Sequence, residues 1–108
     1  MITVISPAKT LDFSEQTLTK KATEPDFLDR SSTLVAQLRD SSANQLSTLM
    51  GISPKLAELN HQRFQDWSLP FTSKNAKQAL LAFKGDVYTG FDCEAWEPDD
   101  FNFAQKHL

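Results

Sequence analysis

At 108 residues the chain has the length of one domain and is too short for two. An apolar share of 40%, with eight Phe and two Trp, supplies a core, and 23% charged residues is an ordinary share, so the composition is that of a folded globular protein rather than a disordered one. A formal charge of −3 argues against holding nucleic acid by bulk positive charge, which needs clustered Lys and Arg.

The charge is unevenly placed. Residues 92–100 hold five carboxylates (Asp92, Glu94, Glu97, Asp99, Asp100) and no base, leaving 11 basic against nine acidic residues elsewhere. Cys93 is the single cysteine, so no internal disulfide forms, and with nothing pointing to an oxidising compartment a cytoplasmic location is the simplest reading. Residues 1–5 are apolar for too short a run to read as a signal peptide, and no run approaches the roughly 20 apolar residues of a membrane helix, so no membrane partner is expected.

In chain order, Ile2, Thr3, Val4 and Ile5 form a β-branched run closed by Ser6 and Pro7, the pattern of a buried strand followed by a loop that carries Lys9 and Thr10. Leu11 and Phe13 would anchor that loop, and residues 14–23 are polar and aperiodic, an exposed connection. A first helix is expected over residues 25–39, with Pro25 in its opening turn, Asp26 at the positive end of the dipole, and Phe27, Leu28, Leu34, Val35 and Leu38 on one face. Ser42 and Gln45 have the spacing of a capping box for a two-turn helix that buries Leu46, Leu49 and Met50 and ends at Gly51. Ser53 then caps a third helix with Pro54 at its first position and Ile52 placed to staple its start, running through Leu56, Leu59 and Arg63 to about Trp67.

After a proline-containing connection at residues 69–71, Thr72 or Ser73 starts a short helix through Ala76. The apolar run 79–83 fits a helix end or a strand; its length and its place before Gly85 favour a strand. Residues 91–96 read as a second edge strand, and Glu97, Pro98, Asp99 and Asp100 are a helix N-terminus continued by Phe101, Ala104, Gln105 and Leu108. No Gly, Asn or Pro closes this last helix, so the chain is expected to be the truncated N-terminal part of a larger single domain. The fold class expected is mixed α/β (α+β), with short strands near 2–5 and 79–83 and about five helices.

The chemistry gathers in Phe83, Lys84, Gly85, Asp86, Val87, Tyr88, Thr89 and Gly90, where a cation, an anion, a phenol and a hydroxyl stand between two of the chain's three glycines. Gly85 and Gly90 do not make a P-loop, because no Lys and Ser/Thr pair follows the second glycine. If the strands before Lys9 and Lys84 are parallel neighbours, both loops open at one sheet edge, and Ser6, Lys9, Thr10, Lys84, Asp86, Tyr88 and Thr89 line one polar cleft suited to phosphate or another anion. Asp86 would then hold the Lys84 ammonium or act as a base. The plainer alternative is a tight turn with Asp86 on backbone N–H groups, or an exposed Asp86–Lys84 pair worth roughly 0 to 1 kcal/mol.

Ser6, Pro7, Ala8, Lys9, Thr10 and Leu11, followed in the right order and at the right separation by Leu81, Ala82 and Phe83 through Gly90, resemble the YaaA family of peroxide-stress-resistance proteins. Residues 45–50, 52–57, 63–67 and 100–108 also stand as that family has them, so the resemblance covers the whole chain. It implies a cytoplasmic protein of mixed α/β fold that limits damage during hydrogen peroxide stress by lowering free intracellular iron, and that binds DNA. In the family DNA binding is attributed to a positively charged cleft and a helix-hairpin-helix element, which would lie past Leu108. DNA is therefore the expected partner of the full-length protein, with weak or no binding by these 108 residues alone. An enzyme acting on a phosphorylated or nucleobase-containing small molecule, with Lys9, Lys84, Asp86 and Tyr88 as catalytic groups, is the alternative.

Metal ligands are not evident: His61, His107 and Cys93 have no partner at metal-ligand spacing, and the acidic stretch is explained in part by a helix first turn. No metal or cofactor is expected. Trp67, Trp96, Phe64, Phe101 and Phe103 lack interleaved Lys or Arg and read as core and interface residues rather than base-stacking platforms. A face left uncovered around Phe101 and Phe103 would favour self-association.

Overall fold

Half of the residues lie in helices, and the only β-type pairing is a single antiparallel bridge between Leu11 and Phe83. The computed structural model describes residues 1–108. It divides into two units, Glu24–Asn75 and the paired segments Met1–Thr23 with Ala76–Leu108.

In the unit Glu24–Asn75, helices α1 (Leu28–Arg39), α2 (Ala43–Met50) and α3 (Pro54–Asp66) follow from local capping signals. Ser42 and Gln45 form the capping box: Gln45 N donates to Ser42 Oγ at 3.2 Å and Ser42 N to Gln45 Oε1 at 2.8 Å. Gly51 ends α2 at φ 61°, a left-handed conformation that a side chain would strain. Ser53 Oγ accepts from Leu56 N at the start of α3, and Pro54 occupies its first turn.

Helix α3 packs on both α1 and α2 around Val35, Leu46 and Ala57, and Asn60 is buried because its Nδ2 donates to Leu56 O at 2.8 Å. The carbonyls that α3 leaves open at its C-terminus are met from α1. Arg39 Nε donates to Phe64 O at 2.8 Å and its Nη2 to Gln65 O at 3.4 Å and to Trp67 O, while Gln65 Nε2 returns a bond to Arg39 O at 3.1 Å. His61, on α3, is half-buried with Nδ1 3.0 Å from Ser41 O.

Three expectations for this unit are corrected. Helix α1 starts at Leu28 rather than Pro25, because Phe27 adopts a left-handed φ of 63° that ends helical geometry upstream. Leu49 is 70% exposed, not buried. No helix starts at Thr72 or Ser73: Asn75 Oδ1 accepts from Thr72 N at 2.7 Å and Asn75 Nδ2 donates to Pro70 O at 3.0 Å, side-chain bonds that compete with helical ones and close a turn.

The other unit holds α4 (Ala79–Ala82), α5 (Asp86–Thr89), a single 3-10 turn (Cys93–Ala95) and α6 (Pro98–His107). The mixed α/β fold, with strands near 2–5 and 79–83, is corrected here to a helical one with six α-helices and no sheet. A strand requires a partner for its backbone N–H and C=O groups. Residues 2–5 form no ladder: Ile2 and Val4 are 73% and 92% exposed, and the one backbone bond in the run is Thr3 N to His107 O at 2.6 Å. Ala79, Leu80, Leu81 and Ala82 are strong helix formers and close on themselves, Ala82 N on Gln78 O and Phe83 N on Ala79 O. Residues 91–96 are not extended either, since Asp92 takes φ 47° and the chain turns into the 3-10 segment.

Side chains contributed by these short elements pack as a run of aromatic rings. Phe83 meets Tyr88, Tyr88 meets Phe91, Phe91 meets Trp96 and Trp96 meets Phe101, with centroids 5.1 to 6.1 Å apart. Trp96 Nε1 is satisfied by Phe91 O at 2.8 Å, and Glu97 with Asp100 caps α6. Trp96 and Phe101 are thus packing residues, whereas Phe103 is 66% exposed.

Leu46, with no exposed surface, is the side chain on which the helical unit closes. Leu46→Ala should cost about 3 kcal/mol, and Leu49→Ala less than about 0.5 kcal/mol. The urea midpoints of the two variants, compared with the parent chain, check the difference.

Candidate functional site

Two loops carrying lysine are joined where Leu11 meets Phe83. Lys84 N donates to Thr10 O at 3.0 Å and Asp12 N to Ala82 O at 2.7 Å, the pair of bonds that flanks an antiparallel bridge. The loops therefore adjoin, by an antiparallel contact instead of the edge of a parallel sheet. Gly85 lies against Ala8 at this junction: a Cβ there would stand 3.4 Å from Ala8 Cβ, an ordinary contact distance. Tyr88 fastens the same loops from its other end, its hydroxyl donating to Ser6 O at 2.7 Å while its ring packs on Phe83 and Phe91.

Of the residues expected to line a cleft, Ser6, Thr10, Lys84 and Tyr88 are drawn together by these bonds. Lys9 is exposed on the loop between Ser6 and Thr10. Asp86 and Thr89 are exposed on α5, and the Thr89 hydroxyl donates to Gly85 O at 3.2 Å. With the Tyr88 and Thr89 hydroxyl hydrogens committed to carbonyls, the ammonium groups are the main positive element of the surface.

The ion pair of Lys84 is with Asp12, at 3.5 Å from Nζ to Oδ2, and not with Asp86. Sequence reading missed this carboxylate. Asp12 Oδ1 accepts from Ser14 Oγ at 2.5 Å and from Ser14 N at 2.9 Å, an Asx-type turn for which the Asp-x-Ser spacing was the available signal. It missed Lys77 as well, for which no local signal exists: Nζ reaches 65 residues back to donate to Asp12 O at 3.0 Å, and also donates to Ser14 O at 2.9 Å, standing 4.0 Å from Asp12 Oδ1. The Lys77 side chain is only 11% exposed, whereas that of Lys84 is 58% exposed.

The electrostatics follow from these distances. The Ser14 hydroxyl and N–H, opposed by the cost of burial and helped to a lesser extent by the Lys77 and Lys84 charges, hold the Asp12 carboxyl at about 2, below its ordinary 3.8. Elsewhere in the chain, burial pushes the Cys93 thiol up, with Asp92 adding to it, which leaves the thiol protonated near neutral pH and a poor nucleophile.

The fold and these loops define a small helical protein that displays lysine from two joined loops, one of the lysines held against a carboxylate that is itself firmly ionised. The chain belongs to the family of the peroxide stress protein YaaA, whose family model matches residues 1–108. It is a protein of oxidative stress resistance.

The Asp12 carboxyl, depressed in the folded state, stabilises the fold above its unfolded value near 3.8, and that contribution is lost as pH falls towards about 2. Asp12→Asn should flatten the acid limb of the stability curve across that window and leave its shape near neutral pH unchanged. Urea unfolding at stepped pH, with the Asp12 carboxyl carbon resonance followed in parallel, checks it.

Proposed function

We propose that the chain acts in hydrogen peroxide resistance as a cytoplasmic protein that limits free intracellular iron and DNA damage and binds DNA. The loops of Ser6, Lys9, Thr10, Lys84, Asp86, Tyr88 and Thr89 form one wall of a polar cleft. The helix-hairpin-helix element of the family supplies the rest of that cleft, so DNA is held by the longer protein and weakly or not at all by these 108 residues. The observation that carries this reading is the bridge at Leu11 and Phe83, which sets the Lys9 and Lys84 loops side by side with the Lys84 side chain 58% exposed.

An exposed Asp86 and a half-exposed Lys84 suit a surface that meets a polyanion better than a closed catalytic pocket, where the acting groups are desolvated. The iron effect is assigned to no residue here, since no three His, Cys, Asp or Glu side chains come close enough to share a metal ion. No helix is long and apolar enough to cross a membrane.

The test is duplex DNA binding over a salt series, for this chain and for a chain extended through the hairpin, each with Lys9 and Lys84 intact and with both changed to Ala. The extended chain should bind, and the double change should weaken it and make the slope of log K against log salt shallower by about 1 to 2, since each phosphate contact releases roughly 0.9 counterion. Equal binding by the double variant would remove these loops from the DNA surface.

A further inference from the structure

Lys84 and Lys77 both face Asp12, and they do so differently. Lys77 is nearly buried and has two of its donors on backbone carbonyls, so it is a fixed part of the loop. Lys84 is more than half exposed, and its 3.5 Å separation from Asp12 Oδ2 is longer than the 2.7 to 2.9 Å of a close charge-assisted hydrogen bond. Exposed pairs of this kind hold weakly and exchange readily. Asp12 does not depend on the exchange, because its other oxygen keeps two donors from Ser14 and the Lys77 charge close by whether or not Lys84 stays. A lysine can therefore leave this carboxylate without stranding it.

We infer that Asp12 is a resident anion on the ligand-facing ammonium of Lys84, so that a phosphate group binding at the joined loops takes Lys84 by displacing Asp12, while Lys77 and Ser14 keep the carboxylate in place. This rests on the proposed reading of the loops as a phosphate-facing wall. A phosphate group offers Lys84 what Asp12 offers, negative oxygens at hydrogen-bonding distance, and adds a further contact to the neighbouring loop. Asp12 thus acts as an internal competitor: weakly charged or poorly placed anions do not dislodge it, and closely spaced phosphates do. The ligand chemistry is a phosphate group, carried either by a nucleic acid backbone or by a small phosphorylated molecule.

The experiment measures binding of the hairpin-containing chain, as parent, Asp12→Asn, Lys84→Ala and the Asp12→Asn/Lys84→Ala pair, to duplex DNA and separately to inorganic triphosphate over a salt series. Asparagine keeps an oxygen for Ser14 and removes the charge. Asp12→Asn should tighten binding about 3- to 10-fold at low salt and steepen the DNA slope by up to about 0.9, because in the parent the Asp12 carboxylate that Lys84 leaves takes up a cation, offsetting part of the release from the phosphate, and the neutral amide takes up none. Adding Lys84→Ala should abolish the gain. Tightening towards DNA assigns the backbone as the source, and tightening towards triphosphate alone assigns a small molecule; both support the displacement. Unchanged or weaker binding by Asp12→Asn, while Lys84→Ala still weakens the parent, overturns the inference and leaves the phosphate-facing wall standing. Indifference of both ligands to Lys84→Ala overturns both. Independently of any variant, the Asp12 carboxyl resonance of the parent should shift on saturation with whichever of duplex DNA and triphosphate binds, and a resonance that does not move on binding overturns the displacement.

Discussion

Two backbone hydrogen bonds around Leu11 and Phe83 carry the organisation of the candidate site, because nothing else of β type is present to join the N-terminal segment to the later one. A sheet distributes such a junction over many bonds. Here it is concentrated in one bridge and reinforced by side chains that reach backbone carbonyls: Tyr88 to Ser6, Lys77 to Asp12 and Ser14, and Gln78 Nε2 to Lys21 O at 2.8 Å. Each bond supplies a donor to a carbonyl of an irregular segment, which is how a chain without regular structure satisfies its polar backbone.

That arrangement also explains how an acidic chain presents basic loops. The carboxylates of residues 92–100 fall largely at the 3-10 turn and at the N-terminus of α6, where Asp99 and Asp100 complement the helix dipole and Asp100 caps Glu97 N. Asp12 is the acid that meets the lysines, and its charge is distributed among Ser14, Lys77 and Lys84. Lys77 serves the loop's structure and Lys84 serves its surface. The two lysines look alike in sequence and differ in burial and in the backbone carbonyls that hold Lys77.

Much of the helical unit was legible beforehand because its signals are local. Ser42 with Gln45, Ser53 with Pro54, and Gly51 each act within four residues, and the structure realises all of them. The same holds for Glu97, Pro98 and Asp100 at α6. For the run 79–83, length and the place before Gly85 favour a strand over a helix end, yet Ala79, Leu80, Leu81 and Ala82 prefer a helix once no neighbouring strand is there to accept their bonds. Phe27 and Asp92 depart from expectation for another reason: a left-handed φ leaves no mark in the sequence at Phe and only a weak one at Asp. At the site, the adjacency of the Lys9 and Lys84 loops was anticipated through the wrong geometry, a parallel sheet edge, and Asp12 and Lys77 were not anticipated at all.

By itself the sequence determined the capped helices, the aromatic content of the core and the family, since these depend on neighbouring residues or on whole motifs such as Ser6 to Leu11 and Phe83 to Gly90. Tertiary structure alone decided which carboxylate holds Lys84, which lysine is buried, and whether the apolar runs at 2–5 and 79–83 become strands. The physical reason is reach: an ion pair or a β-bridge is settled by residues brought together from opposite ends of the chain, and no window of sequence contains both partners.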